Sequence, residues 1–190
     1  GAISVVASNA CGTSNARTKT VYGKPTKPTV INGPTQLCKT DTVVFSTVAV
    51  FGNNPYTWTM PTGINILSGQ NTTSVTVKVS STAVAGDVCV KAKNSCGNSA
   101  NLCLAVNIIP NPLAVGTITG NANGVCNSTK NYSVVNQVGV TFNWTVPSGA
   151  TLLSGQGTNA VSVSYSNSYN SGNIVVTATN SCGNSTSASK

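Results

Sequence analysis

The six residues Asn94–Ser99, NSCGNS, recur letter for letter at Asn180–Ser185, and a variant, NACGTS, occupies Asn9–Ser14. The three cysteines inside these words, Cys11, Cys96 and Cys182, lie 85 and 86 residues apart. The segments around them repeat at the same offset. GAISVVASN from Gly1, GDVCVKAKN from Gly86 and GNIVVTATN from Gly172 lead into the three words, PYTWTMPTG from Pro55 matches TFNWTVPSG from Thr141, and ILSGQNTTSVTVKVS from Ile66 matches LLSGQGTNAVSVSYS from Leu152. Cys38 and Cys126 hold equivalent places near the start of each copy. Motifs kept in one order at one offset mark a duplicated unit, and such a period constrains the fold more than any single residue does. The spacing predicts one complete repeat over 27–110 and a second over 111–190 that lacks the end of its last strand. Residues 1–26 read as the closing strands of a preceding copy. An isolated hairpin is marginal in water, so the 190 residues are expected to belong to a longer chain.

Within a repeat, short alternating runs are separated by turn signals every 8–12 residues, the pattern of an all-β sandwich. Thr42 to Val50 and Tyr56 to Met60 read as successive strands joined by the turn Gly52–Pro55, with Tyr56, Trp58 and Met60 facing one way. Val75, Val77 and Val79 face the core, as do Val88, Val90 and Ala92 from the penultimate strand and Leu102 and Leu104 from the last. No segment sustains helical periodicity. The fold class expected is therefore tandem immunoglobulin-like β-sandwiches in an extended array. Pro25, Pro28, Pro110 and Pro112 fall at the repeat junctions, where a fixed φ stiffens a connection.

Composition limits the chemistry. Charged residues form 6% of the chain, against about 25% in ordinary soluble domains, so the polar surface is Ser, Thr, Asn and Gly. The net charge of +8 comes from ten basic residues set against Asp41 and Asp87. The lysines are scattered and Arg17 is the only arginine, a solvated surface rather than a nucleic-acid footprint, with at most weak attraction to anionic polysaccharide. There is no histidine and no glutamate. A Ser/His/Asp triad and a paired-carboxylate site are both ruled out, and no catalytic residue is expected. No Cys/His cluster or run of carboxylates points to a metal, no cofactor is implied, and no run of about 20 apolar residues points to membrane insertion. Trp58 and Trp144, at one fixed place on the third strand, read as core aromatics rather than sugar-stacking platforms.

The combination of an early Cys, aromatic-x-Trp with x-Pro-x-Gly after it, SGQ, and G-x-[IV]-x-V-x-[AV]-x-N-x-C-G resembles the PKD-like repeats of very long secreted proteins. These occur in Bacteroidota-type bacteria and include cell-surface gliding adhesins and cargo of the type IX secretion route. The likeness covers nearly the whole chain. It implies a sandwich module used as stalk or spacer on the cell surface, with adhesion located elsewhere in the polypeptide. The polycystic-kidney-type signature WDFGDG is replaced here by WTMPTG and WTVPSG, so no acid-based calcium site is carried over. The resemblance also implies an O-glycosylation motif at Asp41-Thr42-Val43, with Thr42 as acceptor.

Seven cysteines without histidine point to disulfides and an oxidising compartment. Two pairings are open. Cys38 with Cys96 and Cys126 with Cys182 would close each repeat on itself, the favoured arrangement because each repeat carries both halves. Cys38 with Cys182 would join neighbouring repeats, because the two turns concerned lie at opposite ends of an immunoglobulin-like sandwich. Cys11 is left without a mate in either scheme. An intra-repeat bridge would restrict the unfolded chain by about 4 kcal/mol. Cys89 and Cys103, seven residues either side of Cys96 and outward-facing, predict a cross-strand disulfide peculiar to the middle repeat.

Two functions of different class fit these features. The first is a non-catalytic stalk or filament of a large extracellular adhesin, involved in attachment or gliding, whose partners are neighbouring repeats, surface polysaccharide or other adhesin chains. The second is a spacer or carbohydrate-binding module of a secreted polysaccharide-degrading enzyme.

Overall fold

The computed structural model describes residues 1–52 and 54–190, and every regular element among them is a strand. Val and Thr, stiff at χ1, alternate with small polar residues along most of the chain, which suits a pleated surface with one wet face. The chain divides into two compact units, Gly1–Ile108 and Ile109–Lys190.

The first unit opens with β1 (Ala2–Val5), β2 (Ser8–Asn9), β3 (Gly12–Thr13) and β4 (Arg17–Thr20). β1 pairs with β4 and β2 with β3, all antiparallel and all exposed. There follow β5 (Ile31–Asn32), β6 (Gln36–Cys38), β7 (Thr42–Thr47), β8 (Tyr56–Thr59), β9 (Ile64–Ser68), β10 (Ser74–Val79), β11 (Gly86–Asn94), β12 (Gly97–Asn98) and β13 (Leu102–Ile109). One sheet runs β5-β7-β10-β9; the other joins β6, β13, β11 and β8, with β12 closing the end of β11. The two inner faces meet in a core of Leu37, Phe45, Tyr56, Trp58, Val75, Val77, Val79, Val88, Val90, Ala92 and Val106. Leu102, Leu104 and Met60 are half-buried and pack against its margin.

Strand β7 ends at Thr47, three residues short of the expected Val50. The Thr47 hydroxyl donates to Val30 O at 2.6 Å and its amide donates to Thr73 O. Val50 N is taken by the Tyr56 hydroxyl at 2.8 Å, so the chain leaves the ladder there. The turn expected at Gly52–Pro55 includes Asn53, which lies outside the described residues.

The second unit repeats the plan with β14 (Thr129–Ser133), β15 (Thr141–Thr145), β16 (Ala150–Ser154), β17 (Ala160–Tyr165), β18 (Val175–Asn180), β19 (Gly183–Asn184) and β20 (Ala188–Ser189). β14-β17-β16 faces the sheet of β15, β18 and β20. Phe142, Trp144, Val161, Val163, Val176 and Ala178 fill the space between.

The same clamp holds the core tryptophan in both units. The side chain of Gln70 accepts from Trp58 N at 2.9 Å and donates to Trp58 O at 3.1 Å; Gln156 does the same for Trp144 at 2.9 and 3.2 Å. β8 and β15 each have a neighbouring strand on one edge, β11 and β18. One carboxamide therefore supplies the donor and acceptor that a second neighbour would have provided. The indole N–H groups donate to Thr72 O and Thr158 O at 2.9 and 2.8 Å, so the rings are buried without an orphaned donor. The glycine of SGQ makes this turn possible. Gly69 and Gly155 sit at φ +87° and +91°, and a Cβ on either would lie 2.1 or 2.0 Å from the carbonyl of Ser74 or Ala160.

Two predictions follow from this packing. Gly155→Ala destabilises the second unit by about 2–3 kcal/mol, from a disfavoured backbone region plus the backbone clash, as read by urea unfolding. The second concerns Tyr165. Burial, its hydrogen bond to Tyr132 and the neighbouring Tyr132 and Tyr169 phenols push its hydroxyl well above the ordinary 10.0. The folded chain then keeps a proton that the unfolded chain loses, so this stability is complete below pH 10 and falls as the pH rises above it. Tyr165→Phe reduces the slope of stability against pH in that range; an unchanged slope would contradict the assignment.

Candidate functional site

The recurring hexapeptide is a tight turn in which every letter has a task. The first Asn accepts, through Oδ1, from the amide of the cysteine two residues on: Asn9 to Cys11 at 2.8 Å, Asn94 to Cys96 at 2.9 Å and Asn180 to Cys182 at 2.8 Å. This is the local side-chain turn that Asn favours. The glycine after the cysteine has positive φ in all three copies, +141° at Gly12, +126° at Gly97 and +121° at Gly183. The closing Ser is bound from both directions. Ser99 N donates to Ala92 O and Ala92 N donates to Ser99 Oγ, at 2.9 and 3.0 Å; Ser14 with Ala7 and Ser185 with Ala178 make the same pair.

The other half of the Asn carboxamide reaches out of the turn. Asn94 Nδ2 donates to Gly23 O at 2.8 Å, and Asn180 Nδ2 donates to Pro110 O at 2.9 Å. The Cys96 sulfur lies 3.5 Å from Tyr22 O and the Cys182 sulfur 3.6 Å from Ile109 O. In each unit the Asn carboxamide of the turn therefore holds one carbonyl of the segment leading into the sandwich, and the cysteine sulfur lies beside the carbonyl before it. The Cys96 thiol can donate there, whereas the bonded Cys182 sulfur has no hydrogen to give. A hollow of about 540 Å³ lies beside the first of these turns, lined by Val21, Tyr22, Gly52, Asn54, Asn94 and Ser95. The Tyr22 ring stands 5.5 Å from that of Phe51, tilted by 47°. Sequence reasoning missed both the carboxamide clamp at Trp58 and the second use of Asn94. The verbatim repetition of SGQ and of NSCGNS was the available signal.

The cysteines require a correction. Cys96 and Cys126 are free, exposed thiols, so the favoured pairs Cys38–Cys96 and Cys126–Cys182 do not form. Geometry gives the reason. Cys38 lies in the segment that bonds Val79, at the end of the sandwich where Gly86 packs on Pro61. Cys96 follows Asn94, at the far end of β11. Nine residues of strand span about 26 Å, while a disulfide needs its Cα atoms within about 7 Å. In the second unit Cys126 lies beside Tyr169 O, at 3.2 Å, where Gly172 packs on Pro147. Cys182 follows the opposite end of β18. Cys38 and Cys182 are each disulfide-bonded cysteines, and Cys11 is a free, exposed thiol. Cys89 and Cys103 are directly opposed on β11 and β13 and joined to each other, with a Cα separation of 4.1 Å.

Trp58 and Trp144 are 2% and 4% exposed, which leaves no ring face for a sugar. Thr42 is exposed at the start of β7, its hydroxyl 3.5 Å from Lys78 Nζ. Asp41 and Asp87, both exposed, belong to different strands and turns. Among the described residues, no three His, Cys, Asp or Glu side chains gather to hold a metal ion, and no helix is long and apolar enough to cross a membrane.

The PKD-like domain family matches residues 24–106 and, a second time, residues 111–190. The chain belongs to the PKD-like domain family. No curated protein matches it in sequence. Solved structures resemble it as folds. Domains A168–A170 of titin are 16% identical with a TM-score of 0.50, over 98% of this chain and 71% of that one. A chain from the complex of the mouse coronavirus receptor-binding domain with its murine receptor is 10% identical with a TM-score of 0.50, over 83% of this chain and 96% of that one. The titin I-band fragment I67–I69 is 14% identical with a TM-score of 0.49 over 87% of this chain, which spans 62% of the fragment's length. The two likenesses with a TM-score of 0.50 show the immunoglobulin-like sandwich fold alone. PKD-like and immunoglobulin-like domains serve adhesion and structural roles and are generally non-catalytic.

The two hydrogen bonds of the PKD-like turn can be separated by substitution. In Asn180→Ala the Cys182 amide loses its acceptor and exchanges faster with deuterium, with a stability loss of about 1 kcal/mol. Asn180→Asp keeps the acceptor for Cys182 N but has no donor for Pro110 O, so the turn amide stays protected. Equal deprotection in both variants would sink the division of labour.

Proposed function

We propose that this chain is a non-catalytic structural segment, a stalk or filament, of a large extracellular bacterial adhesin that serves surface attachment or gliding. The observation that carries this reading is the repeated Asn–Cys turn, whose Asn carboxamide ties each sandwich to a backbone carbonyl of the segment leading into it. Such a device serves a module that works in series. The proline-marked junctions and a surface of neutral polar side chains agree with it, as does a core that, among the described residues, holds no titratable group other than tyrosine. The Cys89–Cys103 disulfide suits an oxidising, extracellular setting. The repeat boundaries at 27–110 and 111–190, with 1–26 as the close of an earlier copy, are part of the same proposal. So are secretion by the type IX route, decoration of Thr42 by O-linked glycan, and a partner set of neighbouring repeats, surface polysaccharide or other adhesin chains.

Antibodies raised against the 190-residue chain test this directly. On intact producing cells, immunogold label is expected along surface filaments, and intact-mass analysis of the parent polypeptide is expected to show many further NxCG repeats. Label confined to a soluble secreted enzyme with polysaccharide-degrading activity would overturn the adhesin reading in favour of a spacer or carbohydrate-binding module.

A further inference from the structure

Each complete repeat carries two cysteines that its own fold holds at opposite ends. Cys126 is reduced and exposed at the end of the second unit marked by Pro147 and Tyr169. Cys11 and Cys96 are reduced and exposed in their NxCG turns, and Cys96 faces the segment that leads into its sandwich. The positions equivalent to these, Cys38 for Cys126 and Cys182 for Cys96, are disulfide-bonded. One chain thus shows both kinds of site, free in one copy and bonded in the other. Partners within a repeat are excluded by a separation of about 26 Å in the first unit, against a limit of about 7 Å.

We propose that Cys126 and the turn cysteines Cys11 and Cys96 are the two halves of a repeat-to-repeat disulfide. In it, the early cysteine of one repeat is joined to the NxCG cysteine of the copy that follows. The turn presents its sulfur in a fixed conformation, because the amide of the same residue is tied to Asn Oδ1 and the next residue is a positive-φ glycine. The partner is therefore a second copy of this turn, in the same polypeptide or another. Cys89 and Cys103 take no part, being joined to each other.

The chemistry is thiol–disulfide exchange with a small disulfide oxidant such as glutathione disulfide. One protein thiolate attacks it, forming a mixed disulfide and releasing one glutathione thiolate; the second protein thiolate attacks the protein sulfur and releases the other. Two protein thiols lose two electrons and two protons, and one oxidant molecule becomes two glutathione thiols. Both protein thiols are exposed, as exchange requires.

The test uses the whole 190-residue protein, kept unreduced and incubated with glutathione disulfide. Non-reducing electrophoresis is expected to show a ladder of multimers, and peptide mapping is expected to find Cys126 linked to Cys96 or Cys11 in excess over Cys126–Cys126 and Cys96–Cys96. Cys126→Ser abolishes the ladder, as does Cys11→Ser with Cys96→Ser, while thermal unfolding is unchanged in both. In a chain extended by a further copy of residues 111–190, an intramolecular link from Cys126 to the added turn points to register along one polypeptide. Persistence of intermolecular ladders in that chain points to joining between polypeptides. Homotypic links in statistical proportion, a ladder that survives Cys126→Ser, or a Cys38–Cys96 peptide would overturn the proposal. What the array attaches to does not enter: a failed surface labelling leaves this register standing, and a wrong register leaves the surface reading standing.

Discussion

The tryptophan held by a glutamine is the contact on which each sandwich depends. Trp58 and Trp144 fill the space between the sheets, and on the edge of their strands away from β11 and β18 the backbone groups of these two residues meet no main-chain partner, where burial makes unpaired groups costly. A carboxamide from the SGQ turn fills that edge with one donor and one acceptor, so a short strand of four or five residues stays flat against the core. The chain needs no additional strand there. The economy has a condition: the turn must bring the carboxamide back at close range, and only a glycine fits between its neighbour's carbonyl and the bend.

Much of this was legible in the order of residues. Alternation at Val75, Val77 and Val79 and at Val88, Val90 and Ala92 marks inward faces directly, because side chains of a strand alternate by construction. The duplication marked two units, and the residues either side of Cys96 predicted a bond across paired strands. The early-to-turn cysteine pairs do not form because two cysteines in one repeat need not be near each other. Sequence distance along a sandwich does not report which end a turn occupies; β11 alone carries the chain from one end to the other. The roles of Gln70 and Asn94 were hidden for a different reason. A carboxamide that satisfies main-chain groups leaves no periodic pattern, only a motif repeated without an evident cause.

The residues of β1 show what the same letters do in another setting. Ile3 and Val5, at positions equivalent to Val88 and Val90, are 62% and 65% exposed, whereas their counterparts are fully buried. The hairpin nevertheless keeps the register of its strands and the complete bonding of its turn. Turn chemistry is thus local, set within six residues, and burial is the part that needs a second sheet.

The Cys89–Cys103 bond has a mechanical corollary. The residues it encloses span a sequence separation of 14, including the whole NSCGNS turn. When a pulled domain unravels, that loop stays closed, so the extension released is shorter by about 50 Å than from an unbridged copy, at ~3.5 Å per residue. A rope made of such segments would give way in unequal lengths, and the bridged one would keep its knot.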